Sequence, residues 1–107
     1  MRGDFVSVAM QGDFGKPRPA LVIQSDQFVE HATVTVLPTT SMLVVAPLLR
    51  ITVQPSAENG LLKPSQVMVD KAITVKREKV EQAFGRIESN VMVDIERCLA
   101  VFLGIAK

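Results

Sequence analysis

Gly12-Asp13-Phe14-Gly15-Lys16-Pro17-Arg18-Pro19 runs directly into the apolar stretch Ala20-Leu21-Val22-Ile23. Two glycines supply backbone conformations closed to other residues, and two prolines fix φ and push Lys16 and Arg18, the residues before them, toward extended geometry. The octapeptide therefore reads as a loop that delivers the chain into a β-strand. It also presents Asp13, Lys16 and Arg18 within six positions. A rigid backbone carrying cations suits an anion; an ordinary hairpin connection with solvated charges fits the same residues.

Outward from this loop the chain continues as short strands. Asp4–Met10, Arg18–Gln24, Thr33–Leu37 with Thr and Val alternating at period two, Leu48–Val53 and Gln66–Ala72 all carry strand patterns. Turn residues separate them at Gly12–Pro19, Asp26–Ala32, Thr39–Pro47 and Pro55–Gly60. That spacing predicts an antiparallel barrel or a strongly bent sheet. The last third changes period. Thr74 precedes Val75–Phe84, which reads as a short helix stopped by Gly85. Ser89 is the expected cap of a second helix reaching about Leu103, with Met92, Ile95, Leu99 and Phe102 on one stripe and Gly104 as its stop. Val93 and Val101 lie off that stripe, which points to a second apolar contact, another subunit being one candidate. The expected class is α+β, in a single domain over 1–107.

Composition narrows the function. At 107 residues, 48% hydrophobic and 21% charged, the chain is globular and near the lower size limit for a self-sufficient core, so association would help it. The single Cys98 cannot form an internal disulfide and sits in the helical stripe as a packing residue. The apolar run Met42–Leu49 is interrupted by Pro47 and too short to span a bilayer, and the N-terminus has no signal-like segment, so a cytosolic protein is expected. A net charge of +1 requires any nucleic-acid site to be a local arrangement of Arg and Lys. His31, the only histidine, lies in a polar turn, and no metal-ligand spacing, nucleophile elbow, phosphate-binding loop or dinucleotide fingerprint is present. No metal or cofactor is expected.

Arg18 at the start of one strand and Thr39-Thr40-Ser41 at the end of another remain. If those strands pair, a planar guanidinium and hydroxyls meet at one rim, where they could clamp a phosphodiester. Local hydrogen bonding to the backbone accounts for the three hydroxyls equally well.

Arg2-Gly3-Asp4 before an apolar strand, then Gly15-Lys16-Pro17-Arg18-Pro19-Ala20-Leu21-Val22-Ile23, then Val36-Leu37-Pro38-Thr39-Thr40-Ser41, in this order and spacing, resemble the MazF/PemK family of toxin–antitoxin ribonucleases. The likeness continues more loosely through Gly60-Leu61, Ser65-Gln66-Val67 and the C-terminal helix. It implies a small SH3-like antiparallel β-barrel of the CcdB/PemK/MazF type, with a C-terminal α-helix and one or two short helices. It further implies a homodimer that cleaves single-stranded RNA at short sequences without metal, and a cognate antitoxin whose tail occupies the RNA groove. By position, the family's catalytic arginine falls on Arg18, its threonine on Thr40, and an acidic residue of some members on Asp13. Lys16 and Ser41 become RNA-binding neighbours.

Many members carry a Gln-x-Arg element on a later strand, and here Lys71 and Ile73 stand at those positions. The arginine is absent, so Lys71 is expected to supply a cation and Gln66 or Asp70 to read a base. Attack by the RNA's own 2′-hydroxyl, leaving a 2′,3′-cyclic phosphate and a 5′-hydroxyl, suits a protein without a metal site. Two other readings stand beside this one. A gyrase poison of the CcdB type shares the barrel but ends in Trp-Gly-Ile, whereas this chain has no Trp and closes Leu103-Gly104-Ile105-Ala106-Lys107. A catalytically silent relative would keep only RNA or antitoxin binding.

Overall fold

Thr and Val alternate along β3 (Thr33–Thr40), giving the strand two apolar faces and making it the spine of the fold. A computed structural model describes residues 1–9 and 16–106. β1 (Asp4–Ala9) pairs with β2 (Pro17–Val22) from Phe5–Leu21 to Ala9–Pro17, and β2 pairs with β3 from Val22–Val36 to Ala20–Pro38. The other edge of β3 serves two strands in succession. β6 (Ile73–Lys76) runs along Thr33–Val36, and β5 (Ser65–Met68) takes Thr39 and Thr40. β4 (Arg50–Val53) pairs with β5, and β7 (Gly85–Arg86) closes the outer edge of β1. Every pairing is antiparallel, in the order β4-β5-β3-β2-β1-β7 with β6 beside β3. The result is the expected α+β class, in the form of a curled half-barrel with one C-terminal helix, α1 (Ser89–Phe102).

Alternation sorts the side chains into two cores. Phe5, Leu21, Leu37 and Val67 pack with Met92 and Ile95 of α1, while Val6, Val8, Ala20, Val22, Val34 and Val36 form a second cluster against which Ile73, Val75 and Val80 pack. Ile95 is fully buried, a contribution of about 1.5–3 kcal/mol. Cys98 and Leu99 pack against the first core as the helical stripe predicts, whereas Phe102 is 49% exposed. Among the described residues no helix is long and apolar enough to cross a membrane.

The Arg2-Gly3-Asp4 motif proves architectural. Gly3 takes φ +91 and donates its N–H to Val22 O, and Asp4 accepts from Arg86 Nη1 at 2.6 Å, tying the two chain ends of the sheet together.

The helix expected over Val75–Phe84 does not form. The segment is β6, a 3₁₀ turn at Arg77–Lys79, and extended chain along β1. Its Lys- and Glu-rich composition favours helix weakly, by tenths of a kcal/mol per residue. The unpaired edges of β3 and β1 outweigh that. Val75 pairs with Val34, Val80 bridges Val8, and Arg77 Nε donates to His31 O at 2.8 Å. The strand expected over Gln66–Ala72 ends at Met68 in a 3₁₀ turn, Val69–Lys71, and the break expected from Thr39 begins only after Thr40. Ser89 is the first helical residue rather than the cap. Glu88 precedes it, and its carboxylate is engaged with Ser56 and Asn59 instead of the helix N–H groups.

Candidate active site

Pro19 and Pro38 have no N–H to give, and the β2–β3 ladder stops at Ala20–Pro38. Beyond that point β2 stays with β1, whereas β3 leaves with β5. The strands splay, and a cleft of about 770 Å³ opens between them. Arg18 and Pro19 line it from β2, and Pro38, Thr40 and Ser41 from β3 and its exit. Gly60–Lys63 and Phe84 complete the lining together with Ser7, Thr39, Met42, Ser65 and Met68.

Of the residues expected at a site, Arg18, Thr40 and Ser41 meet in this cleft. Arg18 is exposed at its mouth and held in register by pairing with Val8. Thr40 is half-buried, and its Oγ1 accepts the Met42 N–H at 3.1 Å, which fixes the hydroxyl while leaving its own proton to donate. The neighbouring Thr39 is different: it is buried, and its Oγ1 has no partner among the described residues. Strand alternation thus separates the two threonines and leaves Thr40 as the accessible one.

The other expected residues lie elsewhere. Asp13 falls outside the described residues. Lys16 is exposed just before β2 and does not line the cleft. Lys71 is exposed at the end of the Val69–Lys71 turn, 3.9 Å from Asp70, and is also away from it. Gln66 is buried and its amide is fully engaged. Its Oε1 accepts from Val44 N at 3.0 Å, and its Nε2 donates to Val44 O at 2.9 Å and to Thr52 Oγ1 at 3.1 Å. Gln66 therefore pins the loop that follows Thr40, its partner across the β3–β5 ladder, and has no amide group left to read a base. Asp70 is likewise committed to Arg50.

Sequence reasoning missed the far wall. Asn59, fully buried, accepts from Ser56 N and Leu61 N and donates to Gln54 O and Glu88, folding Pro55–Gly60 into a tight turn. That turn sets Gly60 against Phe84 and leads Leu61, Leu62 and Lys63 into the lining. The Asn59-Gly60 pair signals the turn, but nothing local says what it faces.

The Arg50 guanidinium bonded to Asp70 holds that carboxyl below the usual aspartate range, and the Ser56 hydroxyl bonded to Glu88 does the same for Glu88. Both groups brace the scaffold rather than the cleft. Among the described residues the lining of the cleft includes two cations, Arg18 and Lys63, and no Asp or Glu. Among the described residues no His, Cys, Asp and Glu side chains gather as a metal site requires.

A half-barrel whose splayed strands bring an arginine, a threonine and a lysine to one cleft has the build of an anion-binding protein. The chain belongs to the PemK/MazF family: a model described as PemK-like, MazF-like toxin of type II toxin–antitoxin system matches residues 1–103. It is 46% identical over 106 residues to a probable endoribonuclease MazF of Mycolicibacterium smegmatis, covering 98% of this chain and 97% of that protein. Among solved structures it is similar to the Mycobacterium tuberculosis toxin MazF-mt6, with TM-score 0.82 at 20% identity over 97% of this chain and 99% of that one. It is also similar to a mycobacterial endoribonuclease in complex with its cognate antitoxin, with TM-score 0.84 at 21% identity over 100% and 97% of the two chains. These two structures establish the fold.

Proposed function

We propose that this chain is a MazF-like endoribonuclease toxin of a toxin–antitoxin pair, and that its cleft cuts single-stranded RNA at short sequences without a metal. The observation that carries the reading is that Arg18 and Thr40, held by different strand pairings, line one cleft. The nucleophile is the RNA's 2′-hydroxyl, which attacks the adjacent phosphorus, expels the 5′-oxygen and leaves a 2′,3′-cyclic phosphate and a 5′-hydroxyl. DNA, lacking the nucleophile, is not cut. Arg18, permanently charged, stabilises the phosphorane-like transition state, and Thr40 donates to a phosphate oxygen. Asp13, five residues before Arg18, is the acidic candidate for taking the 2′ proton. Lys16 and Ser41 contact flanking phosphates.

The active form is a homodimer acting in the cytoplasm, where its messenger substrate lies. The exposed Val93, Val101, Phe102 and Leu103 of α1 and its end, with Leu43, Val44 and Val45 of the loop after β3, support an association surface. An antitoxin segment that covers the cleft would silence it.

The test is a mixed RNA pool with mapped ends, with and without chelator, for wild type and Arg18→Ala. Wild type is expected to leave 5′-hydroxyl ends at one short motif regardless of chelator, and Arg18→Ala to cut about 10²–10³-fold more slowly. Full activity in Arg18→Ala would overturn the assignment.

A further inference from the structure

Among the described residues the cleft is lined by one aromatic, Phe84, and the catalysis proposed above does not use it. Its ring stacks on the fully buried Phe5, with centroids 6.0 Å apart and planes inclined at 21°, yet 40% of the residue is exposed. The backbone is fixed from two sides. Phe84 N–H donates to Phe5 O at 2.9 Å, and Gly60 lies so close that an added Cβ would sit 2.4 Å from Phe84 O. A residue held this firmly, its ring against the core and part of it exposed where it lines the cleft, offers a preorganised aromatic surface rather than a spare core residue.

The surroundings narrow what it receives. Leu62, 94% exposed, and Lys63 stand in the same lining as Arg18, Thr40 and Ser41. Apolar surface, hydroxyls and two cations suit a ligand with a flat apolar part and an anionic part. A nucleotide has both. An acidic peptide would use the cations but has no general need of the ring.

We infer that Phe84 is a stacking platform for a nucleobase beside the phosphate held by Arg18 and Thr40. The inference rests on the RNA-cleaving reading above. Every base has a π-face, so the platform adds affinity and orientation, while hydrogen bonding elsewhere sets the cleaved motif.

The experiment uses the RNA motif mapped with wild type, made uncleavable by a 2′-deoxyribose at the cut. Phe84→Leu, which keeps apolar cover over Phe5, is expected to weaken binding about five- to hundredfold, and Phe84→Tyr to stay within about twofold of wild type. Wild type should lose a similar factor on an RNA made abasic at one position flanking the cut, and Phe84→Leu should lose nothing more on that RNA. If Phe84→Leu melts like wild type and binds and cuts RNA equally well, the platform is refuted and the nuclease reading survives. If wild type cuts no RNA in the pool, both fall. Should Phe84→Leu fail to fold, the abasic series on wild type decides alone: undiminished binding at every flanking position refutes the platform.

Discussion

Gly85→Ala puts the wall of the cleft to a severe test. A Cβ at Gly85 would lie 2.1 Å from Asn59 O and 2.3 Å from Asn59 C. Both are backbone atoms, so no side-chain rotation relieves the clash, and the two segments must part by roughly 1 Å. Asn59 resists, because its side chain is tied to Ser56, Leu61, Gln54 and Glu88, and the residue is fully buried. Gly85 is equally constrained by its pairing with Phe5. Overpacking of this kind costs about 1–3 kcal/mol, and the absence of a yielding side chain argues for the upper end, ~3 kcal/mol. For a domain of this size that lowers Tm by about 10 °C or more. Denaturant unfolding of purified Gly85→Ala beside wild type measures it. The cleft should loosen as well, with RNA binding weakened even where the variant remains folded. Stability within about 0.5 kcal/mol of wild type would refute the rigid clamp between Asn59 and Gly85.

Two further outcomes follow from groups away from the cleft. Gln66→Leu removes three hydrogen bonds to Val44 and Thr52 and is expected to cost about 2 kcal/mol, with faster amide exchange at Val44 and slower RNA cleavage; unchanged exchange there would dismiss the pinning role. Acid should destabilise the fold through Glu88 and Asp70. Each holds its charge more tightly folded than unfolded, so their contribution is complete above the ordinary carboxylate range and is lost as pH falls through the lower folded values. Unfolding midpoints measured downward from pH 7 should hold level and then fall below about pH 4, less steeply in Glu88→Gln; a slope that Glu88→Gln leaves unchanged would remove Glu88 from the account.

Local pattern revealed the elements whose burial is periodic. Val34 and Val36 alternate with threonines, and Met92 and Ile95 recur at helical spacing, so β3 and α1 were legible. Arg18, set between Pro17 and Pro19, and Thr40, two residues after Pro38, were legible as candidates from the motifs that hold them. Val75–Phe84 was not, since its fate depends on two edges lying forty and more residues upstream, and its own propensities lean toward helix. Gln66 misled for a related reason. A polar residue on a strand looks available, and only the hydrogen bonds that Val44 of the loop after β3 makes to it show that its amide is engaged. Phe84 was hidden twice, by the misread helix and by a partner, Phe5, at the other end of the chain.

The splay at Pro38 also bears on when the protein becomes dangerous to its host. Arg18 is set by an early hairpin, but Thr40 is anchored through Gln66, and the opposite wall waits for Phe84 and the Asp4–Arg86 tie. Nothing made in the first half of synthesis contains a complete cleft. A chain cut short before Arg86 lacks the Asp4–Arg86 tie and is expected to leave RNA uncut. The cleft is complete only once the last fifth of the chain is in place.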